Sequence, residues 1–262
     1  MSAFKDGLMD GKSVFVAGGT SGINLGIAKR FAELGAKVTV VGRNPEKAQN
    51  AAAEIGHGAA GLSADVRDYA AIRAAMEQAA EAMGKFDTVV SGAAGNFLAP
   101  ALGMSANAFR TVVDIDLNGT FNVFRGCHDL LAPKASLIAI TAGQAVNAVP
   151  LQAHACAAKA GVNQVIRVLA MEWGPDVRVN GISPGPIAGT EGMARLAPNS
   201  EGRNAHYERI ALKRWGEIEE VAECAIFLSS PSAAYITGTI LDCDGGSQLG
   251  DATRRDLNRG LA

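Results

Sequence analysis

The feature that most constrains this chain is an alternation of two hydrophobic periods. The runs SVFVAG (13–18), KVTVVG (37–42), FDTVVSG (86–92), ASLIAIT (135–141), VRVNGIS (177–183) and GTILDCD (238–244) are short, apolar and bounded by Gly, Pro or Ser. Each reads as a strand buried on both faces. GAAGLSAD (58–65) is a weaker seventh. Between them, residues 26–34, 45–55, 69–83, 108–131, 154–173 and 218–228 carry helical spacing. Such alternation predicts a doubly wound α/β fold, with a mostly seven-stranded parallel sheet and right-handed crossovers. No repeat or Pro/Ser-rich linker divides the 262 residues, so one domain is expected over 1–262. Residues 188–214 are polar, Gly-rich and weakly periodic, and they follow a strand. They read as a lid at the edge of the sheet where ligands bind. The charged tail 249–262 reads as a loose helix.

Charge narrows the partners. Lys and Arg number 24 against 26 Asp and Glu, a net charge of −2. No global field draws nucleic acid or an anionic membrane, so neither is expected as a partner. The start, MSAFKDGLMDGK, has no apolar core of a signal peptide, and no apolar run reaches the roughly 18 residues of a membrane span. Cys127, Cys156, Cys224 and Cys243 show neither a CxxC pair nor zinc spacing. No metal is expected, and the cysteines read as small buried hydrophobes in a reducing compartment. The last residues, GLA, match no common targeting address, so a cytoplasmic location is expected.

The segment AGGTSGINLG (17–26) sits between the first strand and the first helix. Gly18 and Gly22 let the backbone turn tightly, and Thr20, Ser21, Ile23 and Asn24 complete a cradle at the helix N-terminus. There, unpaired N–H groups and the helix dipole favour a pyrophosphate. This is a Rossmann-like arrangement. The second strand ends VVGRNPEK. Gly42 stands where an NAD-dependent protein would carry an acidic residue, and Arg43 follows. A guanidinium without a competing carboxylate suits a 2′-phosphate, so the cofactor expected is NADP(H).

The turn resembles the Gly-x-x-x-Gly-x-Gly motif of the short-chain dehydrogenase/reductase family, and the resemblance covers nearly the whole chain. It departs at Ala17, where the family has Thr, and at Asn24, where it has the third Gly. The resemblance implies that Asp65, with Val66, meets the adenine. It matches SGAAGN (91–96) with the family's Asn-Asn-Ala-Gly segment, so that Ala93, Ala94 and Gly95 pass close to the cofactor. It places Pro184, Gly185, Ile187 and Thr190 of PGPIAGT near the nicotinamide carboxamide, and gives Lys159 the nicotinamide ribose.

The family's usual chemistry uses Asn, Ser, Tyr and Lys. Lys159 is present, but Asp116, Ala142 and Ala155 stand at the other three positions. Neither alanine donates a proton, so carbonyl reduction by a phenol is not expected. His154 lies about 140° round the helix from Lys159 and reads as structural or solvent-facing. Tyr207, in the expected lid, is the tyrosine kept in reserve.

Four segments, 95–123, 152–162, 170–180 and 184–196, are similar to the family's 2,4-dienoyl-CoA reductase branch, nearest the peroxisomal type. That branch implies reduction of a conjugated thioester with NADPH, a water held by Asp116 and Lys159, and an acyl-CoA substrate near Asn96 and Phe97. It further implies a homotetramer packed through the helices at 108–131 and 154–173. Asp116 also admits a plainer role, capping or pairing with Lys159 or Arg110. Asp244 reads either as part of the site or as a strand-end turn. Two alternatives stay open: an NADP(H)-dependent enzyme for another activated alkene or ketone, and a catalytically silent NADP(H)-binding protein.

Overall fold

A computed structural model describes residues 4–190, 193 and 200–253. Seven parallel strands form one sheet in the order β3-β2-β1-β4-β5-β6-β7. They are β1 (Ser13–Ala17), β2 (Lys37–Gly42), β3 (Ala60–Ser63), β4 (Phe86–Ser91), β5 (Leu131–Ile140), β6 (Val177–Pro184) and β7 (Ile240–Cys243). The helices are α1 (Gly22–Glu33), α2 (Pro45–Ile55), α3 (Tyr69–Met83), α4 (Ala106–Val113), α5 (Gly119–Cys127), α6 (Ala153–Trp173), α7 (Ser200–Arg209) and α8 (Ile218–Ser229).

Successive strand residues serve opposite faces. Val14 and Val16 of β1 join α1, α2 and α8 in one hydrophobic core, while Phe15 and Ala17 join α3, α5 and α6 in the other. Chain order reverses between β1 and β4, and the crevice at their carboxyl ends is where such sheets hold ligands.

Local signals set the helix ends. Asn44, Asp68 and Ser105 accept hydrogen bonds from Lys47 N, Ala71 N and Ala108 N, capping α2, α3 and α4. Gly56 and Gly84 close α2 and α3 at φ 68° and 87°.

The structure corrects three expectations. The helix expected over 108–131 is two helices joined by a π-helical turn, Asp114–Asn118, and Leu131 already belongs to β5. One inserted residue leaves the apolar spacing nearly intact, so periodicity missed it. Helix α1 starts at Gly22 rather than Gly26. Within the expected lid, Ser200–Arg209 is helical but carries no apolar face to signal it. Residues 191–192 and 194–199 of that lid, and 254–262 of the expected tail, lie outside the described residues. Among the described residues, no helix is long and apolar enough to cross a membrane.

Candidate active site

A cavity of about 310 Å³ opens at the carboxyl ends of β1, β4 and β5. One wall is the start of α1, with Gly22, Ile23 and Asn24. The second is the β4–α4 loop, with Gly92, Ala94, Gly95 and Asn96. The third is the end of β5 with α6, where Ala142, Ala155 and Lys159 stand, and Thr190 closes the rim.

The cofactor side is built mostly of backbone. Gly18 has φ 80°, and a Cβ there would lie 2.5 Å from Ala93 N. Only glycine lets the turn meet the β4–α4 loop so closely. Ser21 caps α1 without a side-chain hydrogen bond, so its side chain does not compete for the first-turn N–H groups. Gly22 has open space around it and lines the cavity. Asn24 Oδ1 is buried and accepts no hydrogen bond. This glycine cradle, helix N-terminus and orphaned acceptor fit a dinucleotide. At the end of β2, a Cβ on Gly42 would lie 2.6 Å from Thr20 Cγ2, so Thr20 itself excludes the acidic side chain. Arg43 stands exposed beside it.

Other expected cofactor residues are placed less directly. Arg67 donates to both Asp65 oxygens, with Nη2 at 2.6 Å from Oδ2, so the Asp65 carboxylate is already engaged. That guanidinium, with a smaller contribution from Arg43, holds the Asp65 carboxyl below its usual range against the opposing effect of burial. Val66 is buried under Gly119. Pro184 pairs with Cys243, and Gly185 packs on the Asp244 backbone. Ile187 puts its side chain in the core, while Thr190 donates its hydroxyl to Ile187 O at 2.8 Å.

The reaction side is built of side chains. The π-helical turn carries Asp116, which is 1% exposed. Its Oδ1 accepts from Gly95 N at 2.7 Å, and its Oδ2 lies 3.2 Å from Lys159 Nζ. Lys159 also donates to Ile140 O at 3.0 Å. An ammonium has three N–H donors, so one remains. Gly161 makes the pairing possible: a Cβ there would lie 2.7 Å from Leu117 Cδ2, so glycine brings α6 against the π-helical turn. Of the plainer role for Asp116, the structure shows the pairing with Lys159 and not the capping: the carboxylate bonds a loop amide and an ammonium rather than a helix end.

Asn96 Nδ2 donates to Gln152 Oε1 at 2.7 Å, and Gln144 Nε2 to the same oxygen at 3.3 Å. Thr141, Gln144 and Ile140 line the cavity and were not expected from the sequence. Two glutamines flanking one loop were the available signal. Phe97 packs at a tilt against His154, with ring centroids 4.2 Å apart; His154 is wholly buried, and neither residue lines the cavity. Tyr207 packs on Trp215, also away from the cavity. Asp244 does not line it either: it accepts from Gly246 N, Ser247 Oγ and Gln248 N, which is the turn role. Among the described residues, no cluster of His, Cys, Asp or Glu could hold a metal ion.

Fold and cavity together define an oxidoreductase with a nicotinamide dinucleotide site. Residues 17–248 match the family model described as enoyl-(acyl carrier protein) reductase, and the chain belongs to the short-chain dehydrogenase/reductase family. It is 41% identical to the peroxisomal 2,4-dienoyl-CoA reductase of Rattus norvegicus over 249 residues, covering 92% of this chain and 85% of that protein. It is 40% identical to the peroxisomal 2,4-dienoyl-CoA reductase of Arabidopsis thaliana, over 95% of this chain and 88% of the other. A Bacillus anthracis short chain dehydrogenase of known structure superposes with a TM-score of 0.82 at 37% identity, covering 91% of this chain and 97% of that one.

Proposed function

We propose that the protein reduces 2,4-dienoyl-CoA thioesters to 3-enoyl-CoA thioesters with NADPH. The carrying observation is the buried Asp116–Lys159 pair on a cavity wall where Ala142 and Ala155 offer only methyl groups. Reducing a ketone needs a proton on the carbonyl oxygen, and neither alanine donates one. A conjugated thioester needs something different. When bound, the reduced nicotinamide supplies hydride to the distal alkene carbon. Both π pairs then shift toward the thioester, charge gathers on its oxygen, and a proton must reach the α carbon. Lys159 has a free N–H and Asp116 a free lone pair, so together they hold a water that gives that proton. The Lys159 ammonium steadies the hydroxide left behind. The methyl groups of Ala142 and Ala155 leave room for thioester and water. The (3E)-enoyl product in the names of the Rattus and Arabidopsis relatives fits protonation at the α carbon.

Arg43 and the Thr20–Gly42 contact support NADPH over NADH. Phe109, Phe121, Val168 and Met171 are exposed apolar residues on α4, α5 and α6, and they support a homotetramer assembled through those helices.

The test is cofactor consumption with dienoyl-, enoyl- and 3-oxoacyl-CoA panels, followed by product analysis. Dienoyl-CoA should be reduced fastest, with NADPH, to a 3-enoyl product. Reduction of 3-oxoacyl-CoA alone would overturn the proposal, and no reduction at all would favour a silent cofactor-binding protein.

A further inference from the structure

Two loops meet on the reaction side of the cavity, and one buried oxygen joins them. Asn96 belongs to the β4–α4 loop and Gln144 to the turn after β5, and both line the cavity. Asn96 Nδ2 donates to Gln152 Oε1 at 2.7 Å, and Gln144 Nε2 donates to the same oxygen at 3.3 Å. A carbonyl oxygen has two lone pairs, so these two donors fill it. Gln152 itself does not line the cavity, and only 6% of it is exposed. Its oxygen has neither a spare lone pair nor an open face for a ligand. What it does is fix the two amides that stand in the wall.

The chain around Gln152 is anchored for that task. Cys156 N donates to Gln152 O at 2.9 Å, in the first turn of α6. The Gln152 side chain makes no cap hydrogen bond to the start of α6, so its oxygen is left for the loops. Leu151, just before it, takes φ 68°, a left-handed backbone that leucine adopts at a cost. Leu151 O accepts from Ala99 N at 3.0 Å, a second link between the same two loops. Without these links Asn96 and Gln144 would sample several rotamers, and ordering them would fall to the substrate. With them, each amide is held through one N–H and carries a second N–H beyond that bond.

We propose that Gln152 is a positioning residue for the substrate: its one oxygen holds Asn96 and Gln144 in the arrangement that binds the thioester. It sets thioester affinity and leaves dinucleotide affinity alone, because neither the Gly-rich turn nor Arg43 takes part in these bonds. This rests on the proposed thioester reduction.

The experiment is steady-state kinetics with NADPH and a 2,4-dienoyl-CoA, beside calorimetric titration of NADPH alone. Wild type, Gln152→Met, Asn96→Ala with Gln144→Ala, and all three substitutions together are compared. Methionine keeps the length of glutamine and offers only a weak acceptor. Gln152→Met should raise KM for the dienoyl-CoA about tenfold, since the bonds that order the wall are lost, and leave the NADPH Kd within about twofold. A purely structural role would lower kcat through the folded fraction and leave KM unchanged. Added to Asn96→Ala with Gln144→Ala, Gln152→Met should raise KM by less than about twofold more, because nothing remains for it to hold. An unchanged KM in Gln152→Met, or an equal rise in both backgrounds, overturns the positioning role. So does a rise in the NADPH Kd that matches the rise in KM. A wild type that binds NADPH but reduces no dienoyl-CoA overturns the proposed function and this inference with it, an outcome read before any variant is made.

Discussion

Two aspartate–cation pairs, one lining the cavity and one outside its lining residues, are built differently. Asp65–Arg67, the pair expected at the cofactor rim, is two residues apart in sequence, with side chains 27% and 41% exposed. Asp116–Lys159, the pair proposed to direct the proton, lines the cavity and is joined only by the fold, with side chains 2% and 11% exposed. The first is screened by water and expected to contribute little. The second is desolvated, so its two members are costly to separate and strongly coupled. Change at the first pair should therefore be tolerated, and change at the second should not. The cofactor half relies on backbone geometry that many side chains permit, whereas the reaction half relies on two particular groups.

The largest effect should come from Asp116→Asn. The amide keeps an oxygen to accept from Gly95 N, so the loop should stay in place, but the charge facing Lys159 is lost. NADPH affinity should change little, and kcat should fall roughly 10²–10⁴-fold if the pair directs the proton. Steady-state kinetics beside a cofactor titration separate these quantities. A wild-type kcat in Asp116→Asn would mean that the carboxylate is structural and the two pairs do not differ in kind.

Lys159→Met should come next. It leaves Asp116 buried without its cation, which should cost about 3–5 kcal/mol of stability. It also removes a group expected to hold the cofactor, so turnover and NADPH affinity should fall together, unlike in Asp116→Asn. Adding Asp116→Asn to Lys159→Met should restore much of the melting temperature without restoring activity. If stability does not recover, the pair is not the coupled unit described here.

The contrast also explains what the sequence disclosed. Six strong strands and the Gly-rich turn were legible because they depend on local patterns: apolar runs, glycine spacing and one strand-turn-helix junction. Asp116 and Lys159 were recognisable as residues, and their pairing stood among the roles open to Asp116, but nothing in the spacing showed how the fold would bring them together. Their meeting depends on the π-helical turn and on Gly161 against Leu117, and neither disturbs the apolar spacing. Gln152 was missed because a glutamine beside a loop reads as solvated, yet it is buried. The residue before it, Leu151, takes φ 68°, a backbone turn no local signal announces. Asp244 stayed open because its place at a strand end does not say whether its oxygens face a ligand or its own turn.

On the cofactor side, Arg43→Ala should have an intermediate effect. A lost charge-assisted contact to a 2′-phosphate should cost about 1.5–3 kcal/mol of NADPH binding and leave NADH unchanged. Raising salt should shrink the wild-type preference, because Arg43 is exposed. Equal NADPH and NADH affinities in the wild type would remove Arg43 from the cofactor site.

The smallest effect should come from Arg67→Ala, which makes the comparison quantitative. The Arg67 guanidinium is the main reason that the Asp65 carboxyl sits below its usual range. A carboxyl lowered by folding adds stability above its unfolded pKa, near 3.9, and loses it as pH falls through the lower folded value. Because both side chains are partly exposed, the contribution at neutral pH should be at most about 1 kcal/mol. Melting curves of wild type and Arg67→Ala should therefore differ slightly at pH 7 and converge as the solution is acidified below pH 4. The same variant frees the Asp65 oxygens, so an adenine amine could take the place of Arg67 as donor. NADPH affinity should then hold or rise slightly, whereas breaking the buried pair can only lower function. A loss of several kcal/mol in Arg67→Ala, or one that persists undiminished in acid, would show that the rim pair is as deeply coupled as the central one, and the division between a tolerant cofactor half and an exacting reaction half would fail.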